Sequence, residues 1–291
     1  MPNVPTMLGC VGDLLEDVVV QLLEDINVAS DTESRVVHRR GGSAANVVEA
    51  ACRAGGRARI IAQVGDDPTG VWVTQQLVDL GAEVCVRRAG RTGTIVVLVH
   101  PDGERTMLAD RAACLALDEP DPAWLDGLDT LHLPYYSLVI DPLAATSVIL
   151  AAWARERGIA VSVDTSSAAL LEADGVELAL VRINAVHPTV VLANEPEAAI
   201  FSDRLVPGEL GGAIVVVKRG ARPATVLRAG CDPVDVPAVE LPGVRDTTGA
   251  GDAFAAGFLL ALAQHGDPLE ATRHGHEVAA AAVARASAMT D

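Results

Sequence analysis

Near the C-terminus, Asp246-Thr247-Thr248-Gly249-Ala250-Gly251-Asp252 forms a small, polar, glycine-rich string that runs directly into Ala253-Phe254-Ala255-Ala256-Gly257-Phe258-Leu259. Phe254, Phe258 and Leu262 recur at the spacing of one helical face. The string therefore forms a turn at a helix N-terminus, where backbone N–H groups lack intrahelical acceptors and the helix dipole adds partial positive charge. Such an end binds anions. Asp252 sets a carboxylate in the same first turn. Donors for a negative group beside a base are what phosphoryl transfer to a hydroxyl needs. Taken singly, Asp is a common helix cap and Gly a common turn residue, so the weight falls on the whole string.

That string resembles the C-terminal signature of the ribokinase, or PfkB-type, carbohydrate kinase family, Asp-Thr-x-Gly-Ala-Gly-Asp-x-Phe, and the resemblance extends along nearly the whole chain. Gly41-Gly42-Ser43-Ala44-Ala45-Asn46 matches the family's Gly-Gly-x-x-x-Asn. Paired glycines let backbone approach a ligand closely, and Asn46 offers both a donor and an acceptor, as a pair of sugar hydroxyls requires. Read alone, the same residues are a helix entry with Ser43 as N-cap. Gly12-Asp13-Leu14-Leu15-Glu16-Asp17 follows the first strand, at the carboxyl end where α/β sheets bind ligands. The resemblance implies a substrate-binding carboxylate at Asp17, with Asp13 contributing beside it.

Three further segments carry the nucleotide side and one more substrate contact. Asn194-Glu195-Pro196-Glu197 resembles the family's Asn-x-x-Glu motif, which implies that Asn194 and Glu197 organise phosphate and a hydrated Mg²⁺; Mg²⁺ keeps several waters and needs few direct protein ligands. Val217-Lys218-Arg219-Gly220 resembles the strand end that lines the nucleotide site, although Pro223 stands where the family has a second glycine. Lys218 either reaches a phosphate or snorkels from the strand end. Arg111, in Asp110-Arg111-Ala112-Ala113, falls where relatives carry an Arg-Gly-Ala-like segment near the substrate; a structural salt bridge is the competing reading.

The implied enzyme is an ATP-dependent kinase acting on a hydroxymethyl group of a sugar or sugar-like acceptor. Asp252 is the expected general base, and the N–H groups of Gly249, Ala250 and Gly251 the expected anion hole. Asp13, Asp17, Gly42, Asn46 and Arg111 are expected on the acceptor, and Asn194, Lys218, Gly220 and Thr248 on the nucleotide. Asp246 and Thr248 match part of the family's K⁺ site. An adenosine-like nucleoside kinase of the same fold is the first alternative, weakened by an aromatic content of only 3%. A sugar-binding regulator without catalysis is the second, and the intact Gly249, Gly251 and Asp252 speak against it. A Rossmann dehydrogenase is excluded because no Gly-x-Gly-x-x-Gly follows the first strand.

Positioning these residues calls for an α/β scaffold. Short apolar strands at 6–12, 59–64, 130–136, 159–164, 190–193 and 213–218 alternate with helices, and two helices at 250–264 and 268–286 close the chain. This predicts a mainly parallel sheet covered by helices on both faces. The expected organisation is one ribokinase-like domain over 1–291, with a discontinuous β lid from 27–40 and 83–109 folding over the acceptor. The strand at 94–99 is apolar on both faces, which predicts a covered sheet and a homodimer through the lid. A formal charge of −17 argues against nucleic acid or an anionic membrane as partner. Cys10, Cys52, Cys85, Cys114 and Cys231 lack metal-ligand spacing and read as reduced thiols of a cytoplasmic protein. The seven histidines read as surface or packing residues.

Overall fold

The computed structural model describes residues 6–102, 104–241 and 247–288. Its strands are β1 (Met7–Val11), β2 (Leu15–Leu22), β3 (Ser34–Gly41), β4 (Arg57–Val64), β5 (Glu83–Arg88), β6 (Thr94–Val99), β7 (Arg105–Asp110), β8 (Thr130–Pro134), β9 (Ala160–Asp164), β10 (Val190–Asn194), β11 (Ile214–Arg219), β12 (Arg222–Leu227) and β13 (Val234–Val236). Its helices are α1 (Ser43–Arg53), α2 (Pro68–Val78), α3 (Leu143–Glu156), α4 (Ala168–Ala185), α5 (Glu195–Ile200), α6 (Ala250–His265) and α7 (Pro268–Ala288).

Nine strands form one large sheet in the order β13-β12-β11-β10-β9-β8-β1-β4-β5. From β11 to β5 every neighbouring pair is parallel; only the β11–β12 and β12–β13 pairs are antiparallel. Both faces are covered, which is why these strands read as short apolar runs and not as alternating ones. On one face, β-strand residues such as Leu8, Ile60 and Val216 pack with α1, α6 and α7; on the other, Val11, Leu131, Val163 and Val191 pack with α3 and α4. Helix α6 is enclosed more fully than a one-face helix: every residue from Ala253 to Ala261 is buried. Phe254 and Phe258 stack with ring centroids 6.1 Å apart.

Four strands form a second, smaller sheet in the order β3-β2-β6-β7. Its membership differs from the expected 27–40 and 83–109. The segment Glu83–Arg88 is β5, paired in parallel with β4 at the edge of the large sheet. Its place in the small sheet is filled by Leu15–Leu22, which pairs with β3 and β6. The cause lies in connectivity. β4, α2 and β5 form a strand–helix–strand unit, and such units return the second strand parallel to the first in the same sheet.

The chain passes between the two sheets at four places: from β1 to β2, from β3 to α1, from β5 to β6 and after β7. Asp13, Gly42 and Arg111 lie at three of these crossings.

Candidate active site

Asp252 is the third residue of α6. Gly249, at the N-cap, adopts the left-handed conformation at φ 74°, a region that costs an L side chain roughly 1–2 kcal/mol. The Ala250 N–H donates to Thr247 O at 3.1 Å and so holds the turn closed. Ala250 is therefore removed from the expected set of three anion donors. Among the described residues the Gly249 and Gly251 N–H groups have no acceptor.

The Asp252 carboxylate accepts from Ser43 Oγ at 2.8 Å and from Asn46 Nδ2 at 3.0 Å. Burial pushes its carboxyl up to about 6, against the bonds from Asn46 and Ser43 that favour the ionised form. Ser43 opens α1, yet no side chain caps that helix; its cap residue is Gly42 at φ 102°. The hydroxyl expected to cap α1 is spent instead on a carboxylate 209 residues away. Asn46 is held at both ends, because its Oδ1 accepts from Arg40 Nη1 at 3.1 Å. Arg40 is itself fixed by an ion pair with Glu49.

The acceptor-side residues adjoin this cluster. A Cβ on Gly42 would lie 2.3 Å from the Asp13 carbonyl oxygen, so only glycine lets the two crossings touch. Asp13 is 4% exposed, and its Oδ2 accepts from Arg111 Nε at 2.8 Å. The Arg111 guanidinium lies 4.2 Å from the centre of the Tyr136 ring, a cation–π contact that fixes its plane. The salt bridge weighed for Arg111 thus exists, and it involves a residue of the candidate site. Asp13 Oδ1 is buried without a partner, a costly state that a ligand donor would relieve. Burial raises the Asp13 carboxyl against the influence of Arg111. Asp17 lies on β2 against Gly41, and burial pushes it up to about 6 despite Arg40 and Arg39 nearby.

On the opposite side, Asn194 and Glu197 form a reciprocal capping box at the start of α5. Glu197 Oε2 accepts from Asn194 N at 2.8 Å and from Thr165 Oγ1 at 2.6 Å, and Oε1 accepts from Asn194 Nδ2 at 2.8 Å. Burial, with Asp164 beside it, raises the Glu197 carboxyl. Lys218 pairs with Asp164. Burial alone would lower the Lys218 ammonium, but Asp164 and Glu197 outweigh it and raise it. A Cβ on Gly251 would lie 3.5 Å from Lys218 Nζ, so the ammonium rests against the anion turn. Gly220, at φ 62°, makes the turn between β11 and β12 and is exposed. Pro223 follows where the β11–β12 register shifts between Val217 and Arg219, a position that tolerates a missing ladder donor. Thr248 accepts a hydrogen bond from Arg105 of β7. Asp246 lies outside the described residues.

The fold thus brings Asp13, Gly42, Asn46 and Asp252 into one connected group, joins Arg111 to it, and sets Lys218 against Gly251. Sequence reasoning missed Ser43, Arg40, Arg105 and Asp164. Only Asp164 had a usable signal, its place at the carboxyl end of a parallel strand. A cavity of about 670 Å³ lies elsewhere, between the C-terminal ends of α1 and α6 and the start of α7. Among the described residues no set of three His, Cys, Asp or Glu could hold a metal directly, and no helix is long and apolar enough to cross a membrane.

Comparison with known proteins assigns the chain to a family. The family model for the pfkB family carbohydrate kinases matches residues 5–291. The fructokinase of Klebsiella pneumoniae is 33% identical over 271 residues, covering 88% of this chain and 85% of that protein. The structure of a fructokinase with bound ATP from Xylella fastidiosa superposes with a TM-score of 0.83 at 22% identity, over 99% of this chain and 95% of that one. The adenosine kinase from Sinorhizobium meliloti superposes with a TM-score of 0.81, also at 22% identity, over 96% and 94%. These superpositions carry the ribokinase-like fold. The match along the chain carries the rest: the protein belongs to the pfkB family of carbohydrate kinases, ATP-dependent phosphotransferases that act on sugar hydroxyl groups.

Proposed function

We propose that the chain transfers the γ-phosphoryl group of ATP to a hydroxymethyl group of a sugar, with Asp252 as general base. The observation that carries this reading is the pair of bonds from Ser43 and Asn46 to Asp252. They aim the base from the same helix start that contacts Asp13, so base and acceptor residues share one frame. The acceptor hydroxyl loses its proton to Asp252 as its oxygen attacks phosphorus. The open Gly249 and Gly251 N–H groups, with Lys218 beside them, face the charge that develops on the transferring group; one such donor typically contributes about 2.7–4 kcal/mol. Asp13 Oδ1, Asp17 and the free end of the Arg111 guanidinium hold the remaining sugar oxygens.

Asn194 and Glu197 fit a hydrated Mg²⁺. They are hard oxygen donors, but the Glu197 oxygens already accept three hydrogen bonds, which suits contact through water. Bound there with ATP, the ion would neutralise phosphate charge. The small sheet acts as a lid that excludes water from the reaction, and Arg105 is its link to the anion turn. K⁺ near Thr248, and a dimer through the lid, complete the proposal. A sugar acceptor is favoured over a nucleoside by the low aromatic content of 3% and because the Tyr136 ring beside the acceptor residues is already stacked on Arg111.

The test is ADP release with Mg-ATP across a panel of sugars and nucleosides, with K⁺ or a large organic cation, beside Asp252→Asn. Acceptor-dependent turnover should fall about 10²–10⁴-fold in the variant. Full activity of the variant would remove the base, and equal rates without K⁺ would remove the cation.

A further inference from the structure

Lysine carries its charge on a flexible four-carbon stem, so an ammonium that must meet a transferring phosphoryl group needs an anchor. Lys218 is the penultimate residue of β11, and between it and β9 lies β10, whose last residue, Asn194, caps α5. Asp164, the last residue of β9, reaches across that intervening strand end to pair with Lys218. Asp164 is in turn fixed locally. Its Oδ1 accepts from Ser166 N at 3.0 Å, and its carbonyl oxygen accepts from Ser166 Oγ at 2.9 Å. Ser166 is held at φ 59°, a left-handed conformation unusual for serine, and strain of this kind collects at functional sites. The next residue, Thr165, bonds Glu197. Glu197 already accepts from the Asn194 main chain and side chain and from Thr165, whereas the Asp164 carboxylate pairs directly with Lys218.

We propose that Asp164 is a positioning residue for phosphoryl transfer, holding the Lys218 ammonium against Gly251 so that it meets the transferring group. This rests on the kinase reading above. Asp164 itself touches no substrate; it acts through Lys218. Without it the ammonium is drawn to the neighbouring carboxylates Glu197 and Asp252, away from the phosphate or onto the base.

The experiment is a double-mutant cycle with Asp164→Asn, Lys218→Met and the pair, assayed by ADP release with the best acceptor. Asp164→Asn keeps an oxygen for Ser166 N–H and removes only the charge. Its kcat should fall about 10²-fold, as expected for a displaced group, with the acceptor KM within about twofold. The double variant should be no slower than Lys218→Met alone, because the two residues act as a unit. Multiplicative losses, or a kcat for Asp164→Asn near that of the wild type, would overturn the proposal. Asp164→Ala, assayed on one preparation with and without added formate, gives a second reading. Formate should restore turnover where chloride does not, and no rescue counts against the role. An inactive wild type would instead sink the kinase reading, so the two failures are distinct.

Discussion

Asp252 and Asp17 both keep their proton to about pH 6 because burial disfavours the charged carboxylate. Their proposed duties differ, so their titrations should separate in kinetics. As pH falls through about 6, Asp252 gains a proton and can no longer take one from the acceptor; kcat should then drop about tenfold per pH unit, and above about pH 7 it should be flat. The role proposed for Asp17 is binding. Protonation turns an acceptor of hydroxyl hydrogen bonds partly into a donor, so the acceptor KM should rise over the same range. In Asp17→Asn that KM should be raised about 10–100-fold at pH 8, the cost of losing a bond to a charged group, and should no longer vary with pH. The kcat profile should stay as in the wild type. Steady-state rates at saturating ATP decide this, and a kcat that stays level down to about pH 5 would mean that Asp252 is not the base.

Helix α6 is placed by its close contacts with α7. A Cβ on Gly257 would lie 2.7 Å from Val278 Cγ2 and 2.9 Å from the His274 carbonyl oxygen, and one on Gly275 would strike Phe254 at 3.0 Å. α6 and α7 therefore pack almost backbone to backbone. Gly257→Val should cost about 1–3 kcal/mol by urea unfolding and should lower kcat as the first turn of α6 shifts; an unchanged unfolding midpoint would show that the contact gives way. This helix was legible in the sequence because its period and its glycine-rich start are local signals. So were α1, α7 and the parallel strands. β2 was not. Val18-Val19-Val20 interrupts any alternation, and between its buried ends, Leu15 and Leu22, the strand is partly exposed, so neither strand pattern applies. Composition could not separate β5 from the small sheet, although its β4–α2–β5 setting could have. Ser43 was missed for a different reason, since what it does depends on a residue brought close only by folding; Asp164 had a signal in its place at the end of β9, but its partner Lys218 is likewise set by folding.

At the scale of the whole molecule, the small sheet keeps apolar side chains in the open. Val36 is 52% exposed and Leu108 56%. Val36 continues a row through Val20 and Leu98, and Leu108 continues one through Val96 and Val18. Such a patch marks a contact surface. Sedimentation should show a dimer that Val36→Lys with Leu108→Lys converts to monomer; a wild type that is monomeric at micromolar concentration would end the lid-dimer proposal. The four crossings between the sheets have a different consequence. Asp13, Gly42 and Arg111 sit in the segments about which the small sheet would swing. If the small sheet moves as the proposed lid, changing those residues to suit another sugar should alter the hinge along with the preference. The proposed roles predict that selectivity and turnover are coupled, so that a mutant library confined to those three positions should move both along one line instead of exploring them independently.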